Sequence, residues 1–504
     1  MRAERLRLAQ GMLAVVVLAT LAACKSIDTE GPPPPDAPDP GVRLGAAAGD
    51  PLPGLATSTD PTQKAYLALF GAGLKKFVLA DSVNTDGLGP TFNLDSCGGC
   101  HAYPAIGGSS PGPIPGDPHV INPQYSFWAS RPDMHAGNRA PAFIVGGDPA
   151  HPGVTPVREA RFVRNEADPT QADGGVHDLF TIVGLPGTPA GCTAALLPQP
   201  DFDKAIAAGN IIYRIPTPLF GAGLMEQIPD AVIEQNRSSE TDAKKLYGIR
   251  GKSNVTLAGR TVSDSARIPS GVENRSGNDG TIARFGWKAQ NKSLLVFAGE
   301  AYNVEMGVSN ELFPTERSEL APCQAPTLTV PNDRTDPTQS GLDVLSDVEK
   351  FAGFMRLLAP PTPSADTPGG AASIEKGRAL FSSVGCSLCH SVKLTTGRSD
   401  LAQFDHKDVL LYSDLLLHSM GPKLADGISQ GQAGPDEFRT APLWGLGQRT
   451  YLLHDGRTND LVQAIYEHES GTSNNASEAN GIVKRFRYLG TGDKRDLLNF
   501  LRSL

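Results

Sequence analysis

The feature that most constrains this chain of 504 residues is the motif Cys-x-x-Cys-His, which occurs at residues 97–101 and again at residues 386–390. Two cysteines at this spacing can form thioethers with the two vinyl groups of a haem, and the histidine after them can lie beneath the iron as proximal ligand. The sequence therefore predicts two covalently attached c-type haems. The predicted attachment residues are Cys97, Cys100, Cys386 and Cys389, and the predicted iron ligands are His101 and His390.

Two other chemistries use paired cysteines. The two pairs could together form a structural zinc site, or a pair could act as a thioredoxin-like redox couple. Neither chemistry needs a histidine directly after the second cysteine, and here that histidine is present both times. The repeated motif therefore favours haem over both alternatives.

Composition and periodicity predict the fold class. The chain has 55 glycines and 42 prolines but only 6% aromatic residues, so much of it is expected to be loop around buried prosthetic groups. Apolar residues at helical spacing precede each motif, and a third such stripe ends the chain. The stripes are Tyr66, Phe70, Gly73 and Phe77, then Ile374, Gly377, Leu380 and Phe381, and finally Leu497, Leu501 and Leu504. We predict a mainly α protein with two cytochrome c-like haem domains, in which the last two stripes pack together.

Prolines and glycines divide the chain. The run Ala-Pro-Pro-Thr-Pro at 359–363 and the run Pro-Gly-Gly at 368–370 follow an apolar helical stretch and are typical of a linker. The predicted organisation is a signal peptide at 1–23, a proline-rich tether at 24–55, a first haem domain at 56–358, a linker at 359–371 and a second haem domain at 372–504.

A weak internal repeat relates the two halves. The segment RIPTPLFGAG at 214–223 resembles RTAPLWGLG at 439–447. In the first half this turn lies much farther from the haem motif than in the second half, so the first domain must carry an insertion. The glycine- and proline-rich stretch from residue 102 to about residue 198 is its expected place, where it would cover the first haem as loops.

The N-terminus has the pattern of an exported lipoprotein. Arg2, Arg5 and Arg7 precede an apolar run over residues 12–23, and Leu-Ala-Ala-Cys at 21–24 forms a lipoprotein cleavage box. The apolar run is too short to span a bilayer. We therefore expect a periplasmic protein anchored to the membrane by lipid on Cys24, with Lys25 favouring the outer membrane; a plain secretory signal cleaved elsewhere is the alternative.

Charge and the remaining cysteines limit the partners. A formal net charge of −9 argues against nucleic acid and permits docking to a basic electron donor. Apart from Cys24 and the four haem cysteines, the chain contains Cys192 and Cys323. They could pair in an oxidising periplasm or remain as two buried thiols.

With these motifs in place, the chain resembles the di-haem oxidoreductase family, which is related to bacterial di-haem cytochrome c peroxidases. The resemblance rests on GLGPTFN at 87–93, RFGWKA at 284–289, DLLLHSMG at 414–421, EFRTAPLWGL at 437–446 and HDGR at 454–457. It implies an enzyme of peroxidase type in which one haem relays electrons while the other meets peroxide. The implied donor is a small redox protein or cytochrome. Related peroxidases bind calcium between domains, but no acidic loop here has calcium-site spacing, so this metal is left open.

Axial ligation would divide the work between the haems. The resemblance implies Met420, shortly after the second motif, as sixth ligand of the second haem, and a thioether raises haem potential. The alternatives are a core methionine at 420 and His418 as ligand. In the second half Met420 precedes Arg439 by a short interval. The same interval before Arg214 in the first half holds no comparable ligand. The first iron would therefore be open, although a histidine from the insertion could reach it. The candidates are His119, His135, His151 and His177.

Two further residues are implied by the resemblance. Splitting peroxide needs a group that moves a proton from one oxygen to the other, and Glu305 in AYNVEMG at 301–307 resembles the acid–base glutamate of an Asn-Pro-x-Glu-Met segment. Tyr302 and Asn303 stand where that Asn-Pro would be, so a solvated glutamate is the alternative. Trp287 lies in a segment like the one that places a tryptophan between haems, or it is a core indole. A di-haem electron carrier without its own catalysis is the competing function.

Overall fold

The computed structural model is mostly helical, which confirms the predicted mainly α class; the division into two cytochrome c-like domains stays a prediction. It describes residues 32–43, 48–90, 94–114, 116–132, 139–165, 168–171, 185, 187–192, 199–255, 261–262, 266–267, 282–314, 321–323, 330–363 and 366–504. The helices are α1 Pro61–Val78, α2 Cys97–Cys100, α3 Pro123–Ala129, α4 Ala142–Val145, α5 Phe202–Ala207, α6 Ala222–Glu226, α7 Asp230–Arg237, α8 Thr241–Tyr247, α9 Leu294–Met306, α10 Asp347–Leu357, α11 Gly370–Val384, α12 Gly421–Leu424, α13 Leu461–Glu467, α14 Asn480–Arg487 and α15 Thr491–Arg502. Short 3₁₀ helices cover Ala321–Cys323, Gly341–Val344, Cys386–Leu388, Leu446–Gln448 and Ser473–Asn475.

The strands of the described residues are short and pair in antiparallel twos. They are β1 Glu159–Phe162, β2 Ile211–Arg214, β3 Asn254–Val255, β4 Thr261–Val262, β5 Ala266–Arg267, β6 Ile282–Ala283, β7 Leu394–Thr395, β8 Asp408–Val409, β9 Leu417–Ser419 and β10 Glu437–Arg439. The pairs are β1 with β2, β3 with β6, β4 with β5, β7 with β8, and β9 with β10. Such short ribbons cannot form a core alone, so the helices supply it.

In each half, the helix that precedes the haem motif crosses another helix closely. Helix α1 packs on α10 and α11 packs on α15, as predicted for the last pair from their apolar stripes. At each crossing a buried glycine faces the partner helix. A side chain at Gly73 would meet the Lys350 carbonyl and approach Phe354 Cβ to 2.8 Å, and one at Gly377 would meet the Asp496 carbonyl. The absence of a side chain therefore allows the backbones to come together.

The internal repeat has a structural counterpart. Arg214 ends β2 and Arg439 ends β10, and each of these strands pairs with an earlier strand of its own half. The connection between the paired strands is 163–210 in the first half and 420–436 in the second. The expected insertion over 102–198 therefore contains a strand, β1, that belongs to the repeated unit. The comparison of equal intervals before Arg214 and Arg439 missed β1, because the longer connection places β1 farther from Arg214 along the chain.

The segment Pro32–Arg43 lies against the C-terminal helices, although residues 24–55 are predicted to form a tether. Asp36 pairs with Lys494 Nζ at 2.7 Å, and Asp39 accepts two bonds from the Arg502 guanidinium at 2.8 and 2.6 Å. This part of the predicted tether is thus packed on the second half of the chain. Residues 1–31, which include the predicted signal peptide and Cys24, lie outside the described residues. Among the helices that are described, none combines the length and apolarity needed to cross a membrane.

Cys192 and Cys323 form a disulfide, which confirms the pairing considered from the sequence. The two cysteines are 131 residues apart, and both are buried. The bond joins the end of the expected insertion to the segment that follows α9. A crosslink that closes so long a loop restricts the unfolded chain strongly.

We expect G73A to lower the free energy of unfolding by about 1–3 kcal/mol, because its new methyl group would press on the backbone of α10. The matched control is G71A in the same helix, where a side chain meets nothing within 4 Å. That change should be neutral or stabilising by up to about 1 kcal/mol, since alanine favours helix. Chemical denaturation of both variants measures the difference. Equal stabilities would contradict the close crossing.

Candidate functional site: two motifs and their surroundings

The second motif follows α11 directly and orients its histidine with one hydrogen bond. His390 Nδ1 lies 3.0 Å from the Tyr412 carbonyl oxygen. A carbonyl can only accept, so Nδ1 carries the proton and Nε2 keeps its lone pair for a metal. Burial lowers the pKa of His390 to about 4. The ring is therefore neutral, as a metal ligand must be.

The first motif repeats this arrangement. Its cysteines lie on α2, and His101 Nδ1 donates to the Gly108 carbonyl at 2.9 Å. Burial lowers the pKa of His101 to about 4 as well. Both predicted proximal histidines thus donate Nδ1–H to a backbone carbonyl, which leaves the lone pair on Nε2.

A largely apolar cavity of about 240 Å³ opens beside the second motif. Cys386, Cys389, His390 and Met420 all line it. Phe381 from α11 and Leu497 and Leu501 from α15 are among its apolar walls. The helix pair that crosses at Gly377 therefore also builds the pocket that a planar apolar group would need.

His418, the rival ligand, is already engaged. Its Nδ1 lies 2.7 Å from Glu478 Oε2, and its Nε2 lies 3.0 Å from Asp414 Oδ2. All three side chains are buried. Because both ring nitrogens bond to carboxylates, the sulfur of Met420 is the better placed donor in this cavity.

Trp287 lies on the wall of the same cavity, facing the first half of the chain. Its indole Nε1 donates to the Ile215 carbonyl at 2.9 Å. Two residues further on, the backbone of Thr217 bonds to the ring of His101. The indole is therefore linked to the segment that touches the first motif.

Glu305 lies beside the first motif at the end of α9. The next residue, Met306, has its sulfur 3.7 Å from the Cys97 sulfur. The Glu305 side chain is 47% accessible, yet desolvation by the surrounding protein, followed by the charge of Glu159, raises the pKa of its carboxyl to about 8. Burial and then the charge of Glu305 also raise the pKa of the Cys100 thiol. The acid–base candidate and the first motif are thus neighbours.

Sequence reasoning missed two charged residues at this place, Glu159 and Arg161 of β1. Arg161 Nε and Nη2 each lie 2.8 Å from a Glu159 oxygen, and Nη2 is 3.9 Å from Glu305. Ala160 and Phe162 alternate with them and pack into a separate apolar cluster. The sequence signal for these two residues was that the strand ending at Arg214 should have a partner strand, as the strand ending at Arg439 does. The long connection between β1 and β2 made this partner hard to recognise in the sequence.

A family model described as "Di-haem oxidoreductase, putative peroxidase" matches residues 202–504, more than half of the chain. The chain belongs to this di-haem oxidoreductase family. The matched part includes Trp287, Glu305, the second motif and Met420, and it begins after the first motif. The family confirms haem as the cofactor type.

Other comparisons add little. The curated proteins give no match. Among solved structures, a chain of Kuenenia stuttgartiensis hydrazine synthase, pressurised with 20 bar xenon, matches at 17% identity with a TM-score of 0.19. The match covers 31% of this chain and 55% of that chain, so it spans about half of that chain's length. At this level the match carries no argument about fold or function.

The residues present fit two haems. Cys97, Cys100, Cys386 and Cys389 are free of disulfides, and each pair precedes a neutral histidine with an available Nε2. The pairs also belong to different halves: Cys97 packs on one core cluster, and Cys386 and Cys389 pack on the other. The four thiols therefore do not converge on one zinc ion. Within the described ranges, no three His, Cys, Asp or Glu side chains are grouped to hold a metal ion.

The insertion histidines give no observed distal ligand. His119 and His151 are exposed and stack on each other with ring centroids 3.8 Å apart. His151 also bonds to Asp148. His135 and His177 lie outside the described residues.

We expect M420L to convert the second haem from a six-coordinate to a five-coordinate spectrum and to lower its midpoint potential, because leucine fills the space without offering sulfur. Optical spectra and a redox titration of the holoprotein measure both effects. M355L is the matched control, since Met355 is buried in α10 within the other core cluster. An unchanged spectrum in M420L would exclude the methionine as ligand.

Proposed function

We propose that this protein is a periplasmic, lipid-anchored di-haem peroxidase with both haems attached through thioethers. His390 and Met420 would hold the haem that accepts electrons from a small redox protein or cytochrome, and His101 would hold the haem at which peroxide is reduced. The balanced reaction breaks the O–O bond as hydrogen peroxide takes up two electrons and two protons to form two waters. When bound, the haems supply one-electron chemistry; the protein supplies ligands, protons and a path between them.

The observation that carries the proposal is a difference between the two halves at matching positions. In the second half Met420 directly follows β9, and its N–H bonds to the Asp436 carbonyl at 2.8 Å. Asp436 stands three residues before Arg439. In the first half the residue three before Arg214 is Ile211, and it pairs with Phe162. Phenylalanine cannot bind iron, and Phe162 packs in a separate apolar cluster, so the strand position that holds a methionine in the second half offers no ligand in the first. This supports an open first iron.

The charged residues on β1 suit the open site. Glu159 and Arg161 leave the strand on the face opposite Phe162 and lie beside Glu305. A carboxyl with a pKa of about 8 holds its proton at neutral pH but can release it, which is the range in which a general acid–base group is most effective. Glu305 would move the peroxide proton between oxygens, while Glu159 and Arg161 hold its protonation state. Trp287 would relay electrons between the two sites.

Export is supported by independent features. The lipoprotein box at 21–24 and the arginines before it direct the chain out of the cytoplasm. The Cys192–Cys323 disulfide suits an oxidising compartment. Lipid on Cys24 would anchor the mature protein, with the outer membrane favoured over the inner.

We expect C24A to move the protein from the membrane fraction, because it removes the lipid attachment site. Fractionation and blotting of cells that express either form measure this. The S26A change close to the cleavage box is the control and should leave the protein at the membrane. A C24A protein that still sediments with membranes would contradict lipid anchoring.

We expect E305Q to lower peroxide turnover by about 10²- to 10⁴-fold, since glutamine cannot carry the proton. Steady-state peroxide reduction by the holoprotein with a reduced c-type cytochrome as donor measures it. The control is E311Q, because Glu311 is the next glutamate along the chain and is exposed. Equal turnover in both would remove Glu305 from the mechanism. No turnover even in the unaltered protein would favour the electron carrier.

We expect E159Q to move the ionisation in the pH–rate profile to lower pH. The charge of Glu159 helps to raise the pKa of Glu305 towards about 8, and losing it favours the ionised form. Arg161 would also be released to act on Glu305, which moves the pKa in the same direction. A profile with an unchanged midpoint would contradict coupling between the two carboxyls.

A further inference from the structure

Arg439 and Arg449 have an unusual position between the two motifs. Both guanidinium side chains line the cavity beside the second motif. Arg449 also lines a smaller cavity that includes Tyr103, two residues after His101. The two arginines thus lie where the surroundings of the first motif meet those of the second.

Their charges lack a carboxylate partner among the described residues. Arg439 donates to the carbonyls of Gly286 and Thr440 at 3.0 and 3.2 Å. Arg449 Nη2 donates to the carbonyls of Pro442 and Trp444 at 2.7 and 3.4 Å. The acid that acts on Arg439 is Asp414, but that carboxylate already bonds to His418.

The other buried arginines of the described chain behave differently. Each has a carboxylate within hydrogen-bond distance, as a buried charge requires. The pairs are Arg161 with Glu159, Arg214 with Asp426, Arg284 with Asp230 and Arg502 with Asp39. Burial and then the charge of Arg449 lower the pKa of Arg439 to about 10, and burial alone lowers the pKa of Arg449 to about 10. Buried Arg439 and its half-buried neighbour Arg449 therefore have no carboxylate of their own within hydrogen-bond distance among the described residues.

A neutral group beside them is also unsatisfied. Thr450 is 2% exposed, and its hydroxyl is buried without a hydrogen-bond partner. It lines the same small cavity as Arg449. A hydroxyl and a guanidinium that point into one enclosed space are suited to an anionic oxygen ligand.

We propose that Arg439 and Arg449 bind the propionate carboxylates of the haems, with Arg449 at the junction between the two haem sites. This inference rests on the haem content of the proposed function. A haem carries its charge on these two carboxylates, so the cofactor itself would supply the anions that the protein lacks. Arginine is suited to the task because its planar fork binds carboxylates through two parallel bonds.

The contact has an electrostatic consequence for electron transfer. Reduction adds a negative charge to the haem, and a nearby buried cation stabilises the reduced form. The arginines would therefore raise the midpoint potential of the haem whose propionates they bind. They act as positioning residues, since they touch the edge of the cofactor and not the reacting oxygen atoms.

The test is an optical redox titration of the holoprotein, in which both haems are followed. We expect R449Q to lower the midpoint potential of at least one haem and R449K to retain a value nearer the original, because lysine keeps the charge. R457Q is the matched control. Arg457 is neutralised by Asp455 at 2.7 Å and Glu467 at 3.2 Å, so its loss should leave both potentials unchanged. R439Q is titrated in the same way as a second variant.

The outcomes separate this inference from the proposed function. Normal haem bands with unchanged potentials in both R449Q and R439Q would overturn the propionate contact alone. A shift in R457Q as large as that in R449Q would also overturn it, because the effect would then be one of general surface charge. Unaltered protein without haem bands would overturn the proposed function together with this inference.

Discussion

A single hydrogen bond from each predicted proximal histidine to a backbone carbonyl orients the ring in both candidate haem sites. His101 and His390 donate Nδ1–H to Gly108 and Tyr412, which fixes the tautomer and turns Nε2 towards the place of the iron. The loops that carry these carbonyls must then be held at a set distance from the helix or turn that carries the cysteines. The glycine crossings at Gly73 and Gly377 supply that rigidity, because each lets two long helices pack backbone to backbone beside a motif.

The two halves share this arrangement of motif histidine, backbone carbonyl and helix crossing, and they differ in the charged residues around it. Beside the first motif the protein gathers carboxyl groups, Glu305 and Glu159, around one arginine. Between the motifs, none of the described carboxylates is bonded to Arg439 or Arg449. Charge in a desolvated site is costly unless paired, so neither arrangement is explained by folding alone. One is suited to proton transfer and the other to an anionic cofactor edge.

The difference between the two candidate haem sites also follows from the two-stranded ribbon that occurs once in each half, β1 with β2 and β9 with β10. The arginine that ends each ribbon is buried in both halves, and the ribbon strands pair in the same register. In the proposed function, the difference between Met420 and Phe162 at matching positions of this ribbon would separate a ligated site from an open one. Glu159 and Arg161 lie on the first strand of the ribbon in the first half, at the positions that Leu417 and Ser419 occupy in the second half.

The sequence by itself determined the haem motifs, the mainly α class and the helix stripes, whereas it left open whether Cys192 and Cys323 pair. These are local patterns or follow from residue chemistry, since spacing along a helix or within a motif does not depend on distant contacts. Only the tertiary structure decided that Glu159 and Arg161 meet Glu305, that His418 is held by Asp414 and Glu478, and that Arg439 and Arg449 bond to backbone carbonyls and to none of the described carboxylates. Each of these depends on residues far apart in the chain whose approach is set by strand pairing and helix packing, and no local pattern records such distances.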